Sequence, residues 1–199
     1  MESRKDEIRN EIRRRRAQCD LADFQRAGVK ITRTCDVLLR RFLKPDFIMC
    51  YVSRADEAPT HNLIRLCLLR GMRVCVPVVD RQAKTLGASE LANFTTDLEL
   101  GFAGIYEPKE ECRRPVKPNE IDVHFIPLVA FAPDGSRLGR GGGYFDRFLA
   151  ECSEDKVKVG LALSWQLVRE IPASEHDVLM DLIVTEQGVL EIRKGLLNN

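Results

Sequence analysis

The amino-acid sequence predicts an α/β fold, in which residues 1–199 form a single three-layer α/β/α sandwich around a largely parallel or mixed central sheet. Short, continuous apolar runs recur along the chain, as expected of strands that are covered on both faces. Segments with helical periodicity lie between these runs, an alternation that is typical of helices packed on both sides of a sheet. A length of 199 residues suits one domain with a full hydrophobic core.

The composition describes a globular protein of nearly balanced charge. The chain has 31 Lys+Arg and 30 Asp+Glu, for a net charge of +1, and 44% of its residues are hydrophobic. This balance excludes a disordered chain and argues against indiscriminate polyanion binding, so we expect no nucleic-acid partner and only a local anion site. No apolar run approaches the roughly 18 residues that span a bilayer, and the N-terminus lacks the apolar core of a signal peptide. We therefore expect a cytoplasmic protein with no membrane partner.

The first element is predicted to be a basic amphipathic helix. Ser3 followed by Asp6 is typical of a helix N-cap. Lys5, Arg9 and Arg13 then fall at steps of four, which places three cations on one stripe of the helix. On pattern alone this stripe is either a solvated charged face or an anion-binding surface.

The next segments predict a second helix and a strand, helix and strand unit. A helical pattern runs over about 20–42, with Gly28 leaving its middle uncertain. Apolar strands at 47–52 and 73–79 flank a helix that begins near Thr60. Two strands joined by one helix within about 30 residues predict a parallel pair.

The second half of the chain starts with a less regular stretch, 80–120, that contains two polar excursions. Beyond it, the sequence predicts a third buried strand, a glycine-rich turn, a helix, a further strand and a final strand pair, at 123–131, 139–143, 144–151, 157–164, 182–186 and 188–192. The seven cysteines contain no CxxC pair and His61, His124 and His176 show no metal spacing, so neither a disulfide framework nor a zinc site is indicated. His124 lies in an apolar strand and is interpreted as a core histidine.

The segment richest in chemical information is PDGSRLGRGGGYFDRFL, residues 133–149. Its glycines lie between a buried strand and a predicted helix, where backbone amides approach phosphate oxygens most closely: Gly139, Gly141, Gly142 and Gly143. Arg137 and Arg140 add forked donors, and Asp146 suits a magnesium ion that would accompany a polyphosphate. The run is neither a Walker A motif nor a GxGxxG motif. Without further context, a flexible surface turn stays an alternative.

The same run, RLGRGGGYFDRFL after IPLVAF, resembles the signature of the 5-formyltetrahydrofolate cyclo-ligase family, also called methenyltetrahydrofolate synthetases. The resemblance extends over nearly the whole chain, because further family elements recur in the right order. They are KDEIR (Lys5–Arg9), DEAPT with Glu57 and Thr60, GIYEP (Gly104–Pro108), and Gln166, Pro172 and Asp177 near the end.

The resemblance implies a sandwich fold related to sugar-phosphate isomerases and CoA transferases, with ATP and Mg²⁺ as cofactors. The nucleotide ligands that it implies are Lys5, Arg9, Arg137, Leu138, Gly139, Arg140, Gly141, Gly142, Gly143, Tyr144 and Phe145. The implied folate ligands are Arg9, Glu57, Arg140, Gly141, Gly142, Gly143 and Tyr144. Asp146 and Asp177 would hold the metal, and Lys5, Arg140 and Tyr144 would act in catalysis.

The implied reaction converts 5-formyltetrahydrofolate and MgATP into 5,10-methenyltetrahydrofolate, ADP and phosphate, through a phosphorylated formyl group (an imino-phosphate). The partners are then small molecules, and we expect a monomer. Two alternatives stay open: an impaired family member that binds nucleotide or RNA, and a sugar-phosphate isomerase or CoA-transferase type of enzyme on the same fold. Tyr51, Trp165 and His176 have no settled role, since the two aromatic residues suit the core as well as a ring-binding site.

The chain departs from the family pattern at two positions. Ala132 stands where the family has Asp, and the next carboxylate is Asp134. If the family Asp contributes to the metal site, this chain either binds magnesium less well or uses Asp134 instead. Phe145 replaces a tyrosine, which keeps the ring and loses a hydroxyl.

Overall fold

Within residues 3–80, 82–101 and 104–198, which a computed structural model describes, the protein is built around a mixed eight-stranded sheet. The strands in chain order are β1 (Phe47–Cys50), β2 (Arg73–Asp80), β3 (Thr85–Leu91), β4 (Leu98–Leu100), β5 (Tyr106–Pro108), β6 (Pro115–Val116), β7 (Val123–Pro127), β8 (Ala130–Phe131), β9 (Arg137–Leu138), β10 (Val157–Leu161), β11 (Leu182–Thr185) and β12 (Gly188–Glu191). The helices are α1 (Arg4–Arg16), α2 (Leu21–Val37), α3 (His61–Leu69) and α4 (Tyr144–Ala150), with a π-helical turn at Leu38–Leu43.

The strand order of the main sheet is β12-β11-β10-β7-β1-β2-β3-β6. The five central strands, from β11 to β2, are parallel, whereas β12 and β3 pair antiparallel to their neighbours. β1 and β2 are the predicted parallel pair, with Phe47 opposite Arg73. The predicted α/β fold with a largely parallel or mixed sheet is confirmed.

Side chains of the central strands are buried on both faces of the sheet, which explains the continuous apolar runs. In β1, Ile48 and Cys50 pack in the cluster that contains α2 and α3, while Phe47 and Met49 pack in the cluster that contains Phe148 of α4. The helices therefore cover both faces. All seven cysteines are described and free. Burial raises the pKa of the thiols in the core, so the core cysteines act as small apolar side chains.

The α1 helix begins as predicted, because the Ser3 Oγ accepts a hydrogen bond from the Asp6 amide at 3.2 Å. Ile8 and Ile12 are buried against the β8–β9 hairpin, in a cluster with Ala132. This packing orients α1, so its stripe of cations faces the same side of the molecule as the glycine-rich loop.

The uncertain middle of α2 is continuous helix, and Gly28 has a packing role there. A Cβ atom on Gly28 would lie 2.9 Å from the Cβ of Pro59, so only glycine admits this close approach. None of the described helices is long and apolar enough to cross a membrane.

Two segments differ from the sequence interpretation. The stretch treated as irregular contains β3, which pairs with β2 over seven residues, from Thr85 to Leu91. Its centre is Gly87-Ala88-Ser89, and such small side chains give little apolar alternation although the backbone pairs fully. The predicted strand 123–131 is two strands, because the chain leaves the main sheet after Pro127 and then pairs with Arg137–Leu138 as a hairpin.

Candidate functional site

The candidate site is a cavity of about 480 Å³ at the carboxyl ends of β1 and β7. It is lined by Tyr51 and Val52, which follow β1, and by residues 127–129 at the end of β7. β1 is the strand at which the order of the sheet reverses, since β2 lies on one side of it and β7 on the other. Open α/β sheets bind ligands at such a point, because the loops that follow the two strands diverge.

Four of the five residues of the glycine-rich loop, residues 139–143, line this cavity, and Gly141 does not. Gly141 has φ +103° and Gly143 has φ +64°, which are left-handed conformations that favour glycine. Gly143 is also the N-cap of α4, and no side chain caps that helix. Arg9 fixes the start of the loop by donating from Nε to the Gly139 carbonyl at 3.1 Å. The α1 helix and the loop therefore form one surface, joined by Arg9.

Arg137 is the deepest cation of the site, with 3% of its side chain exposed. Its Nη2 donates to Oδ1 of Asp146 at 2.7 Å. Its Nε is buried and has no hydrogen-bond partner among the described residues. Burial lowers the pKa of Arg137, and the charges of Asp146 and Asp177 act against that shift. An unsatisfied guanidinium N–H beside a glycine-rich loop is suited to an anion such as phosphate.

Lys5 and Asp177 form a second ion pair, with Nζ 2.7 Å from Oδ2, and Lys5 also donates to Oγ of Ser174 at 2.8 Å. Burial raises the pKa of Asp177, but the Lys5 hydrogen bond and the Ser174 amide outweigh it and hold that pKa below its usual range. Asp177 is ionised in this arrangement.

Asp146 and Asp177, the predicted metal ligands, are neighbours in space. The amide of Val178 donates to Oδ1 of Asp146 at 3.3 Å, and the Arg137 charge acts on both carboxylates. One oxygen of each carboxylate accepts no hydrogen bond from the described residues. Over the described ranges, no group of three or more His, Cys, Asp or Glu side chains is placed to hold a metal ion. A pair of open carboxylates nevertheless fits Mg²⁺, which commonly takes one or two carboxylates and completes its shell with water and phosphate.

Arg140 and Glu57 are brought together although they lie 83 residues apart in the sequence. Arg140 donates to Oε1 of Glu57 from Nε at 3.2 Å and from Nη2 at 3.0 Å, and to Asp56 at 2.9 Å. The other oxygen of Glu57 accepts the Arg54 amide at 2.9 Å. Burial lowers the pKa of Arg140, but its hydrogen bond to Asp56 and the two negative charges raise it overall. Asp56 was not among the predicted site residues, because nothing in its local sequence indicates that it contacts Arg140.

The aromatic residues divide between the site and the core. Tyr144 and Phe145 line the cavity, and so does Trp165, which also packs on Phe24 at 6.3 Å between ring centroids. Tyr51 contributes to the lining, but its side chain is buried and its hydroxyl donates to the Ala58 carbonyl at 2.8 Å. Its role is mainly structural.

Neither His124 nor His176 lines the cavity. His176 is exposed. His124 is fully buried beside Phe148, and burial lowers its pKa to about 4, as expected of a neutral core histidine.

Gln166 is a supporting residue whose role the sequence did not indicate. It is buried, and its Nε2 donates to the carbonyls of Leu128 and Val129 at 2.9 and 3.0 Å, while its Oε1 accepts the Leu163 amide. These bonds hold the chain where it leaves β7, at the floor of the cavity.

Ala132, which replaces the family Asp, is accommodated by apolar packing. Ala132 is buried with Ile8 and Ile12 of α1. Asp134 is exposed, and both of its oxygens accept hydrogen bonds from Ser136, at 2.9 Å each. It does not line the cavity. Asp134 therefore caps its own turn and is not placed with Asp146 and Asp177.

Comparison with known proteins decides the family. The model of the 5-formyltetrahydrofolate cyclo-ligase family matches residues 1–186. The chain belongs to this family. The match contains every site residue discussed above, from the Lys5 stripe to Asp177.

Individual cyclo-ligases and related structures agree with this assignment. The chain is 32% identical over 183 residues to the 5-formyltetrahydrofolate cyclo-ligase of Haemophilus influenzae, covering 91% of this chain and 97% of that protein. It is 33% identical over 147 residues to the Escherichia coli cyclo-ligase, covering 72% and 80%. The NMR structure of Aquifex aeolicus 5,10-methenyltetrahydrofolate synthetase superposes with a TM-score of 0.80 at 28% identity, covering 96% of this chain and 94% of that one. This cyclo-ligase family member therefore shares both sequence and fold with named enzymes.

Proposed function

We propose that this protein converts 5-formyltetrahydrofolate to 5,10-methenyltetrahydrofolate, using ATP and Mg²⁺ and releasing ADP and phosphate. The observation that carries the proposal is the buried Arg137 guanidinium, whose Nε has no partner among the described residues and which lies in the same cavity as the glycine-rich loop. A site of this kind suits a phosphate group. The cavity is also lined by apolar and aromatic residues, which suit a planar ring. The names of the cyclo-ligase relatives support a folate as the ligand with that ring.

The phosphates of ATP are proposed to bind where the cations gather. Arg9 lines the cavity from α1, Arg137 from β9 and Arg140 from the glycine-rich loop, whereas Lys5 pairs with Asp177 and does not line the cavity. Tyr144 and Phe145 continue the lining after the loop, and Leu138 and Gly141 are not part of it. Fixed cations and N–H groups stabilise the charge that develops during phosphoryl transfer, and positioning supplies most of the remaining acceleration.

Asp146 and Asp177 would hold the magnesium ion. When bound, Mg²⁺ neutralises phosphate charge and orients the phosphate oxygens. The two carboxylates are already hydrogen-bonded by Arg137, Lys5 and backbone amides, so their positions are fixed before the metal arrives. The aspartates thus serve as a prepared cation site.

The folate is proposed to lie between Glu57, Tyr144 and Arg140. A carboxylate accepts hydrogen bonds only, so Glu57 suits an N–H of the pterin ring. Its side chain is 13% exposed and directed at Arg140, which would contact both the folate and the phosphates. Tyr144 offers a ring face in the cavity wall.

The chemistry can proceed without a covalent enzyme intermediate. The formyl oxygen attacks the γ-phosphorus, an O–P bond forms, and the bond to ADP breaks to give the phosphorylated formyl group. N10 of the same folate then attacks the formyl carbon, the C–O bond breaks, and phosphate leaves with the formyl oxygen while N10 loses its proton. Lys5 and Arg140 would neutralise the transferred phosphate, and Tyr144 would hold the ring in line.

The direct test is an assay of the purified protein. Incubation with 5-formyltetrahydrofolate, ATP and MgCl₂ should produce the absorbance of 5,10-methenyltetrahydrofolate, and omission of either ATP or Mg²⁺ should abolish it. No product under conditions in which a known cyclo-ligase works would contradict the proposal and favour the nucleotide- or RNA-binding alternative. Product that forms without ATP would contradict the phosphorylated intermediate. The cytoplasmic location and the monomeric state stay predictions.

Asp56→Asn is expected to tighten the binding of MgADP by about two- to fivefold. Asp56 competes with phosphate for Arg140, and the two side chains are 43% and 48% exposed, so the pair is a solvent-screened one of modest strength. Calorimetric titration with MgADP measures the change. Asp155→Asn, an exposed aspartate outside the cavity, is the matched control and should leave the affinity unchanged. Weaker binding by Asp56→Asn would show instead that Asp56 holds Arg140 in its binding position.

A further inference from the structure

Glu107 differs from the other carboxylates that line the cavity. Asp56 and Glu57 pair with Arg140, and Asp146 pairs with Arg137. The carboxylate of Glu107 lines the same cavity, yet it has no hydrogen bond or ion pair with any described residue. A partly buried carboxylate without a partner has its full acceptor capacity available to a ligand.

The fold holds this side chain in place without using its oxygens. Glu107 lies in the middle of β5, which pairs with β4 so that Glu99 stands directly opposite. The end of its side chain lies over Gly101, where an added Cβ would be 3.1 Å from both Cδ and Oε2 of Glu107. The glycine therefore leaves room for the carboxylate, and the backbone of the hairpin fixes its position.

The surroundings of Glu107 are chemically complementary to a flat ring with N–H donors along one edge. Apolar residues from three neighbouring elements line the cavity with it, namely Pro77, Val79, Leu86 and Ile105. A carboxylate at the border of an apolar slot accepts most strongly from two adjacent N–H groups, one to each oxygen. A pterin presents such a pair, its N3–H and its 2-amino group, whereas adenine has no adjacent ring N–H beside its amino group.

We propose that Glu107 binds the pterin ring of the folate substrate by accepting hydrogen bonds from N3–H and the 2-amino group. The inference rests on the proposed function and adds a specificity-determining residue to it. Glu57 already accepts from the Arg54 amide and from Arg140, so it is left with capacity for a single N–H on another edge of the ring. Two carboxylates, one from β5 and one from the loop after β1, would thus orient the ring so that its formyl group faces the phosphates.

Glu107→Ala is expected to weaken the binding of 5-formyltetrahydrofolate by about 10- to 100-fold, the loss typical of charge-assisted hydrogen bonds. Binding is measured without ATP by quenching of Trp165, the only tryptophan in the chain, which lies in the cavity wall. The KM for MgATP should stay within about twofold, because Glu107 has no ion pair with the cations that are proposed to bind the phosphates. Glu107→Gln keeps one acceptor oxygen, so its affinity for 5-formyltetrahydrofolate should lie between those of the wild type and Glu107→Ala.

A substrate analogue separates recognition from a merely structural role. A 5-formyltetrahydrofolate analogue with a methyl group in place of the 2-amino group should bind the wild type about as weakly as the natural substrate binds Glu107→Ala. Glu107→Ala itself should not discriminate between analogue and substrate. Equal discrimination by wild type and variant would overturn the proposal.

Two further variants complete the design. Glu99→Gln removes the exposed carboxylate across the β4–β5 ladder and should bind like the wild type. If Glu107→Ala does not fold, Gly101→Ala displaces the carboxylate instead of removing it, and should weaken folate binding about threefold or more while leaving MgATP binding unchanged. Normal folate binding by both Glu107→Ala and Gly101→Ala would overturn the proposal but leave the function standing. Absence of both folate binding and product in the wild type would contradict the proposed function itself.

Discussion

Arg137→Met is expected to lower kcat/KM for MgATP by about 100- to 1,000-fold, the scale of loss when a fixed donor to a developing charge is removed. Arg137 is the most buried cation in the cavity, its Nε has no hydrogen-bond partner among the described residues, and its guanidinium is the group proposed to bind phosphate. Initial rates over a range of ATP concentrations measure the change. Arg137→Lys should also be severely impaired, because a single ammonium group cannot bond Asp146 and a phosphate with the forked geometry of a guanidinium.

The same substitution separates stability from catalysis. Removing Arg137 leaves Asp146 partly buried without its cation, and the free energy of unfolding should fall by about 2–3 kcal/mol. The double variant Arg137→Met, Asp146→Asn removes both charges and should recover most of that stability while staying inactive. Urea unfolding of the single and double variants tests this. A double variant that recovers activity with stability would mean that Arg137 supports the fold alone.

Asp146→Ala is expected to abolish magnesium-dependent turnover, with a loss of at least about 100-fold at saturating Mg²⁺. Asp146 has one oxygen engaged by Arg137 and the Val178 amide, and the other is open for the metal. Asp146→Asn keeps an oxygen for Arg137 but loses the charge, so it should retain the fold and still require far more Mg²⁺. Turnover measured against Mg²⁺ concentration gives both the affinity and the maximal rate.

Asp134→Ala is the matched control for the metal site. Asp134 lies in the turn of the β8–β9 hairpin. Its two oxygens accept hydrogen bonds from Ser136, and it does not line the cavity. Its removal should leave the Mg²⁺ dependence within about twofold of the wild type. Full activity of Asp146→Ala would show the metal assignment to be wrong, and a loss confined to Asp134→Ala would show that the chain uses Asp134 in its place.

Most of the fold could be predicted from the sequence, because apolar runs and helical spacing are local signals of burial. The central strands and α1 carry these signals strongly. β3 does not, since the small side chains of its Gly87-Ala88-Ser89 segment give little apolar signal although the backbone pairs fully with β2. The β8–β9 hairpin is hidden for a different reason: its first strand continues the apolar run of β7, and only the pairing partner shows where the run divides.

The candidate site was predictable where one motif contains several of its residues. The glycine-rich loop, Arg137 and Asp146 lie within one short segment. The family resemblance implied that Arg140 and Glu57 share the folate as a ligand, but the direct pairing of these two residues, 83 positions apart, was not predicted. Asp56 and Glu107 had no assigned role. The role of a carboxylate depends on whether a cation lies next to it in space, and the sequence does not show such neighbours.

The Lys5–Asp177 ion pair joins two segments that lie 172 residues apart in the chain. During translation, Lys5 is synthesised long before Asp177. The contact between α1 and Asp177 therefore cannot form until synthesis is nearly complete. The proposed phosphate-binding surface, which includes Lys5, would then be complete only after the late segment has docked, and loop closure over this distance is slow. Ligand that binds there would stabilise the finished fold as a whole and no partial one, so nucleotide in the cell would favour chains that have completed folding.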